Sequence, residues 1–353
     1  MSPITIQNIR LHNQLLTHKP FTEPQEIISH FGAIQAQDYS GAKWSIGVRL
    51  PDATDNDIEK ALINKSIVRT WLMRGTLFFV KSNDLRWIQQ LVAPKIITSL
   101  KRRHAELELD VHTLTRTNHI ITEALAKSPS LSRKVLMSII QENGISTEGS
   151  RLYHMLIYAS LNGLICQTNT VKGMPNYILT DRIEVHPPSL SREEAIAELT
   201  LRYFKSRGPA TIADFGWWSG LTITEIKKGL EANKDKLISE TIGEQTYWFR
   251  DNPNPSAPKS HILLLPGFDE FLLGYKDRTA SLKTQFNTLW CPGNNGMFMP
   301  FVVKDGIAVG IWKRTMKKNS TDIEYSYFNA NTKLPVNAHD AASQKLLAFY
   351  QKM

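Results

Sequence analysis

The sequence predicts an α+β fold in which three successive blocks of helices each end in a β-hairpin and a β-rich block follows them. Three observations predict it. Apolar residues recur at helical spacing in three separate stretches, and each stretch runs into two β-prone segments joined by a turn. The proline-rich segment DNPNPSAPKS, residues 251–260, interrupts the chain. Beyond it, helical periodicity gives way to short apolar runs. At 353 residues and 42% hydrophobic content, the chain can fill several compact cores.

In the first block, residues 1–115, helical spacing covers 5–16 and 23–34. Thr22 stands at a capping position, and Pro24 falls in the first turn, where its missing N–H costs nothing. Residues 42–50 and 55–64 predict two further helices, and IVRTWLM and TLFFV follow as strands joined around Arg74-Gly75. Helices followed by a hairpin is the element order of a winged helix. The second block, 116–188, repeats it with helical patterns at 117–127, 132–143 and 148–163. LICQTNTVKGMPNYILT then reads as two strands around Lys172-Gly173.

The third block, 189–250, starts at Ser191 as N-cap, with Glu194 at the capping-box position, and runs through REEAIAELTLRYFKSRG. TIADFGWWSG and TITEIKKGLEANKDKLI supply two more helices, and ISETIGEQTYWFRD the hairpin. In the last block, 260–353, HILLLPGF, MFMPFVV, IAVGIWKR and DIEYSYF are β-rich, and Asp305-Gly306 is a tight hairpin signal. A small β-barrel or sheet closed by a helix at 339–350 is the expected form, the barrel being preferred. The whole is three tandem winged-helix units and a C-terminal β-barrel.

The chain carries 42 Lys+Arg against 33 Asp+Glu, a formal +9. That balance favours a polyanionic partner over a neutral one, with a merely basic soluble protein as the plain alternative. Three helix-and-hairpin units in a basic chain point to nucleic acid, because such units present a helix and a wing to a duplex. A scaffold for other proteins is the competing use of the same units. Candidate duplex contacts are Arg151 and His154 on the third helix of the second block, Lys227 and Lys228 on the matching helix of the third, and Arg74 and Lys172 at hairpin tips. Arg102 and Arg103, within the run Lys101 to His104, serve equally well as phosphate contacts or as a solvated helix face.

Other classes are excluded. Cys166 and Cys291 stand far apart, so neither a disulfide framework nor a zinc site is expected, and a reducing, cytoplasmic setting fits. The N-terminus lacks a signal-peptide pattern, and no apolar run approaches the ~18 residues of a membrane span. There is no GxxxxGK[ST] loop, no HxE with PCxxC and no cysteine cluster. A hydrolase without metal or cofactor is what remains.

One short motif carries the chemistry. Gln35 and Gln37, in AIQAQD, follow the second helix. Residues i and i+2 share a face only on an extended backbone, so joint action requires residues 35–37 to be extended, with both amides facing out and Ala36 turned inward. A primary amide is a poor acid and a poor base, but its carbonyl can hold a water and put negative potential beside a developing cation. Such a pair suits a leaving group that needs no protonation. Cleavage of the N-glycosidic bond to a cationic alkylpurine is one such reaction, whereas surface Gln-x-Gln by itself is a common pattern with no chemistry attached.

Four passages set the motif in company: AIQAQ; VRTWLMRGTL at 68–77; RGPATIADFGWWSGL at 207–221; and LLLPGFDEFLLGYKDR at 263–278 with NGMFMPFVVKDGIAVGIWKR at 295–314. Together they resemble the AlkZ and YcaQ family of bacterial DNA glycosylases. The resemblance implies a C-shaped protein enclosing double-stranded DNA with alkylated bases or crosslinks, acting as a monomer. It also implies that Gln35 and Gln37 are catalytic, in the Gln-x-Gln variant of the motif. Where the family pattern carries a His after Arg-Gly-Thr-Leu, this chain has Phe78. A non-catalytic DNA-binding or regulatory protein on the same scaffold is therefore the alternative. Asp269 and Glu270 are expected to be structural, facing opposite ways and pairing with Lys276 or Arg278. Trp217 and Trp218 are expected to pack rather than stack on bases.

Overall fold

Runs of helices are followed by antiparallel strands along the chain, as in an α+β protein. The computed structural model describes residues 3–171, 174–184, 188–250, 261–316, 321–329, 332 and 336–351. It divides into two compact units, Met1–Ile58 with Ile196–Met353 and Glu59–Ala195.

The first unit opens with α1 (Pro3–Asn13), α2 (Pro24–Phe31), β1 (Ile34–Gln35) and α3 (Tyr39–Gly47), and α4 (Asp55–Ile63) follows. Pro24 sits in the first turn of α2 as expected, but Glu23 rather than Thr22 is the N-cap. The Glu26 carboxylate reaches back to the Glu23 N–H at 3.0 Å, which satisfies a donor the helix leaves open. Gly32, at φ 77, ends α2 in a conformation that costs a glycine little. The next helix starts at 39 rather than 42, because Asp38 is extended and serves as its N-cap.

The second unit contains β2 (Ile67–Trp71), β3 (Leu77–Lys81), α5 (Leu85–Glu106), α6 (Val111–Ala126), β4 (Leu131–Ser132), α7 (Arg133–Glu142), α8 (Arg151–Leu161), β5 (Ile165–Val171) and β6 (Met174–Leu179). Its strands form one antiparallel arrangement in the order β3-β2-β5-β6-β4. The two hairpins that the sequence places in separate blocks thus share a sheet. Arg69 and Gln167 face each other where they meet, with the guanidinium donating to the Gln167 amide oxygen at 2.8 Å.

The chain then returns to the first unit through α9 (Arg192–Arg207), α10 (Ile212–Ser219), α11 (Ile223–Glu231), and the hairpin β7 (Ile238–Ile242) with β8 (Gln245–Phe249). Ser191 and Glu194 form the expected reciprocal cap, at 2.8 and 3.3 Å. The last stretch holds β9 (Ile262–Leu265), α12 (Glu270–Leu273), α13 (Asn287–Trp290), β10 (Phe301–Lys304), β11 (Ile307–Met316), β12 (Thr321–Tyr327) and α14 (Val336–Tyr350).

Here the expected barrel is corrected. The strands make a four-stranded antiparallel sheet in the order β12-β11-β10-β9, and among the described residues its edges β9 and β12 do not pair. Four short strands enclose too little volume to close on themselves, so the sheet buries one face under a helix instead. Phe349 of α14 packs its ring 5.1 Å from that of Trp44, and both are buried. The Asp305-Gly306 turn lies between β10 and β11 as expected, with both residues at positive φ. Among the described residues, no helix is long and apolar enough to cross a membrane.

Gly267 lies in the loop between β9 and α12, and a Cβ there would sit 2.0 Å from the backbone oxygen of Phe298. Because the obstacle is main chain, it cannot rotate away. Gly267→Ala is expected to lower stability by about 1–3 kcal/mol, read as a shift of the denaturant midpoint. An unchanged midpoint would mean that the loop yields.

Candidate active site

The segment after α2 is fixed at its backbone before its side chains come into play. The Gln35 N–H donates to Oε1 of Glu270 at 2.9 Å. The other carboxylate oxygen of Glu270 accepts from Nε of Arg207 at 2.9 Å and from the Trp218 indole at 3.0 Å, and Nη2 of Arg207 lies 2.8 Å from it. Arg207 then reaches the segment itself, donating to the carbonyls of Phe31 and Ala33 at 2.9 and 3.0 Å, with Ser206 Oγ as a further acceptor. Every N–H of its guanidinium is used, which is what a buried arginine requires. Three rings lie against the cation, those of Trp218, Phe31 and Tyr203 at 4.2, 5.0 and 5.3 Å. Arg207 and Glu270 are both buried.

A second buried pair stands beside the first. Asp269 caps α12, accepting from the Phe271 N–H at 2.9 Å, and takes both terminal nitrogens of Arg49 at 2.8 Å. Ser45 Oγ adds a bond of 2.6 Å to the same carboxylate. Arg49 also donates through Nε to the Gln14 carbonyl at 3.0 Å, and Gln14 reaches the Tyr275 hydroxyl at 2.8 Å. That hydroxyl closes the circuit on the Arg207 carbonyl at 2.6 Å. Burial pushes the Tyr275 phenol up, and it stays a neutral donor.

Asp269 and Glu270 are thus structural, as expected, but their partners are Arg49 and Arg207 rather than Lys276 and Arg278. Two acids inside the apolar run LLLPGFDEFLL cannot be buried unpaired, so the sequence does hold the signal that buried arginines must meet them. Trp218 packs in the core, as expected, and Trp217 lies under Arg278 at 5.0 Å.

On this support the backbone is extended at Gln35 and bends at Gln37. Ala36 points inward and is fully buried. The expectation that residues 35–37 are extended with both amides facing out is corrected: the strand ends at Gln35 and the chain bends at Gln37, whose side chain is exposed, whereas Gln35 keeps only 4% of its surface. The bond from the Gln35 N–H to Glu270 fixes the main chain there, inside the protein.

The residues named for duplex contact have unequal freedom. Lys227 and Lys228 are exposed on α11, and Arg74 is half-buried at the turn between β2 and β3, at φ 58. Arg102, 92% exposed at its side chain, and Arg103 share Glu106 at 3.1 and 3.0 Å. Arg151 is spent on backbone, donating to the carbonyls of Leu107 and Ser146. His154 is 7% exposed, its ring 5.3 Å from that of His104, so it packs inside the second unit. Lys172 lies outside the described residues. Phe78 is fully buried in β3. Among the described residues, no group of three or more His, Cys, Asp or Glu is placed to hold a metal ion.

The chain as a whole is similar to known proteins. The chain is 24% identical to an interstrand DNA cross-link repair glycosylase of Streptomyces sahachiroi over 93% of its own length and 91% of that protein's. The solved structure of the Streptomyces sahachiroi DNA glycosylase AlkZ superposes with a TM-score of 0.81 at 20% identity, covering 99% of this chain and 96% of that one. The family model described as DNA glycosylase AlkZ-like matches residues 28–349, from within α2 to within α14. The chain belongs to the AlkZ-like family of DNA glycosylases.

Proposed function

We propose that the protein is a monofunctional, metal-independent DNA glycosylase that hydrolyses the N-glycosidic bond of cationic N-alkylated purines, of the N7-alkylguanine type, in double-stranded DNA. It also unhooks interstrand crosslinks built on such bases, a reading supported by the printed name of the Streptomyces sahachiroi relative. It acts as a monomer in the bacterial cytoplasm. The observation that carries the reading is the extended backbone at Gln35, anchored to a buried ion pair, with the exposed amide of Gln37 two residues on.

The amide carbonyls accept the hydrogens of one water and aim its lone pair at C1′ of the sugar. The bond from C1′ to the purine nitrogen breaks with its electron pair passing to the base, which cancels the charge that alkylation placed there. The water oxygen then bonds C1′, and its surplus proton leaves to solvent. No acid is needed, because the departing base is neutral. Both amides also put negative potential beside the cationic sugar. An exposed amide also suits a bulky lesion, which resists extrusion into a closed pocket. Arg74, Arg102, Arg103, Lys227 and Lys228 are the cations we assign to duplex phosphates.

Release of N7-methylguanine from duplex DNA tests the reading. Gln35→Ala and Gln37→Ala are each expected to lower the single-turnover rate by about 10²–10³-fold, with the double variant at background. Equal rates in wild type and variants would remove the amides from the mechanism. Duplex binding by the wild type without base release from any lesion would establish the non-catalytic alternative.

The anchor is separately testable. Glu270→Ala strands a buried guanidinium and is expected to cost about 3–5 kcal/mol in denaturant unfolding. In the temperature range where that variant is folded, base release is expected to fall while duplex affinity holds. Unchanged release from the folded variant would show that β1 needs no anchor.

A further inference from the structure

A cavity of about 340 Å³ opens in the first unit, away from the residues assigned to hydrolysis, and its walls have a chemistry of their own. Lys205 near the end of α9 and Arg250 after β8 line it, together with His12, His18, His30 and Phe21. The described lining residues include no carboxylate. The nearest acid acting on Lys205 is Glu198, and its carboxylate is already held by Arg202 at 2.7 Å. Among the described residues neither Lys205 nor Arg250 has an ion-pair partner.

Like charges held together without a counter-charge raise the energy of the empty cavity and lower that of an anion entering it. The imidazoles add directed polarity. His12 and His18 stack at 4.0 Å, and the Nδ1 atoms of His18 and His30 are buried without a hydrogen-bond partner. His30 donates through Nε2 to the Asn13 carbonyl at 2.7 Å, which leaves Nδ1 as the acceptor of the neutral ring. A site offering two cations and an unused acceptor matches an anion that can also donate a proton.

We infer that this cavity binds a phosphate group, with Lys205 and Arg250 taking its oxygens and, where the group is a monoester, Nδ1 of His30 accepting its proton in a hydrogen bond. The group could come from a phosphate monoester or from the DNA backbone. A monoester can carry the proton that Nδ1 of His30 accepts; a backbone diester has none to give. Burial keeps the rings neutral in the empty site. His30 is lowered to about 3 by burial and by Lys205, Arg207 and Arg49 around it, and His18 is lowered by burial, His12 and Lys19. Filling the cavity with a dianion opposes those shifts, so the histidine signals report occupancy. The inference stands whether or not the two glutamines are catalytic.

Histidine ring C–H signals of the full chain, assigned with His12→Gln, His18→Gln and His30→Gln, are followed while inorganic phosphate or a short undamaged duplex is added. Inorganic phosphate is expected to move the cavity histidines, and Lys205→Gln with Arg250→Gln to weaken that binding on the order of tenfold or more. If the duplex moves the same signals, the source is the strand. The double variant then reduces the slope of log affinity against log salt by about 0.9 for each phosphate lost. Movement by inorganic phosphate alone assigns the site to a free monoester. Signals unmoved by either probe, or a double variant that binds like the wild type, would overturn the inference.

Discussion

The ion pair between Arg207 and Glu270 is the constraint on which the first unit depends. Its worth is geometric. A buried pair gives back in attraction little more than burial takes from hydration, so well-packed apolar residues could match it for stability. Apolar residues could not direct hydrogen bonds at a chosen backbone. Arg207 takes the carbonyls of Phe31 and Ala33, Glu270 takes the N–H of Gln35, and the segment from the end of α2 into β1 is held at three points.

The companion pair, Arg49 with Asp269, shares that logic. Adjacent acids on α12 turn in different directions and draw two arginines from segments far apart in sequence. Gln14 and Tyr275 join the two systems. Removing one member of such a network leaves others with unmet polar groups in a medium that screens poorly. The aromatic residues around it, Trp218, Tyr203 and Phe31, therefore do two things, filling volume and shielding the cation.

Local features of the sequence carried far. The turns at Arg74-Gly75 and Asp305-Gly306 and the Ser191 cap follow from chain-local preferences, and the structure has them where the sequence places them; the extension expected over residues 35–37 reaches only Gln35 before the chain bends. Properties set by distant residues did not transfer. Gln35 looks exposed in a polar motif, yet it is buried, with its N–H on a partner 235 positions away. Arg151 and His154 look ready for a duplex, yet Leu107 and His104 occupy them. The terminal strands have barrel-like spacing, but spacing says nothing about whether edges meet. In the acidic pair, the sequence required buried cations without saying which of the many arginines they were.

Consider finally that the first unit is assembled from the two ends of the chain, Met1–Ile58 and Ile196–Met353. On the ribosome the Gln-x-Gln segment emerges well before Arg207 and Glu270. Until translation has passed residue 270 of 353, β1 has no carboxylate to receive its amide. A prematurely terminated chain therefore carries the motif without the geometry, and fragments that end in the second unit hold two ordinary glutamines. The late anchor ties position to synthesis: the amides take their working position only once the chain has been made past Glu270.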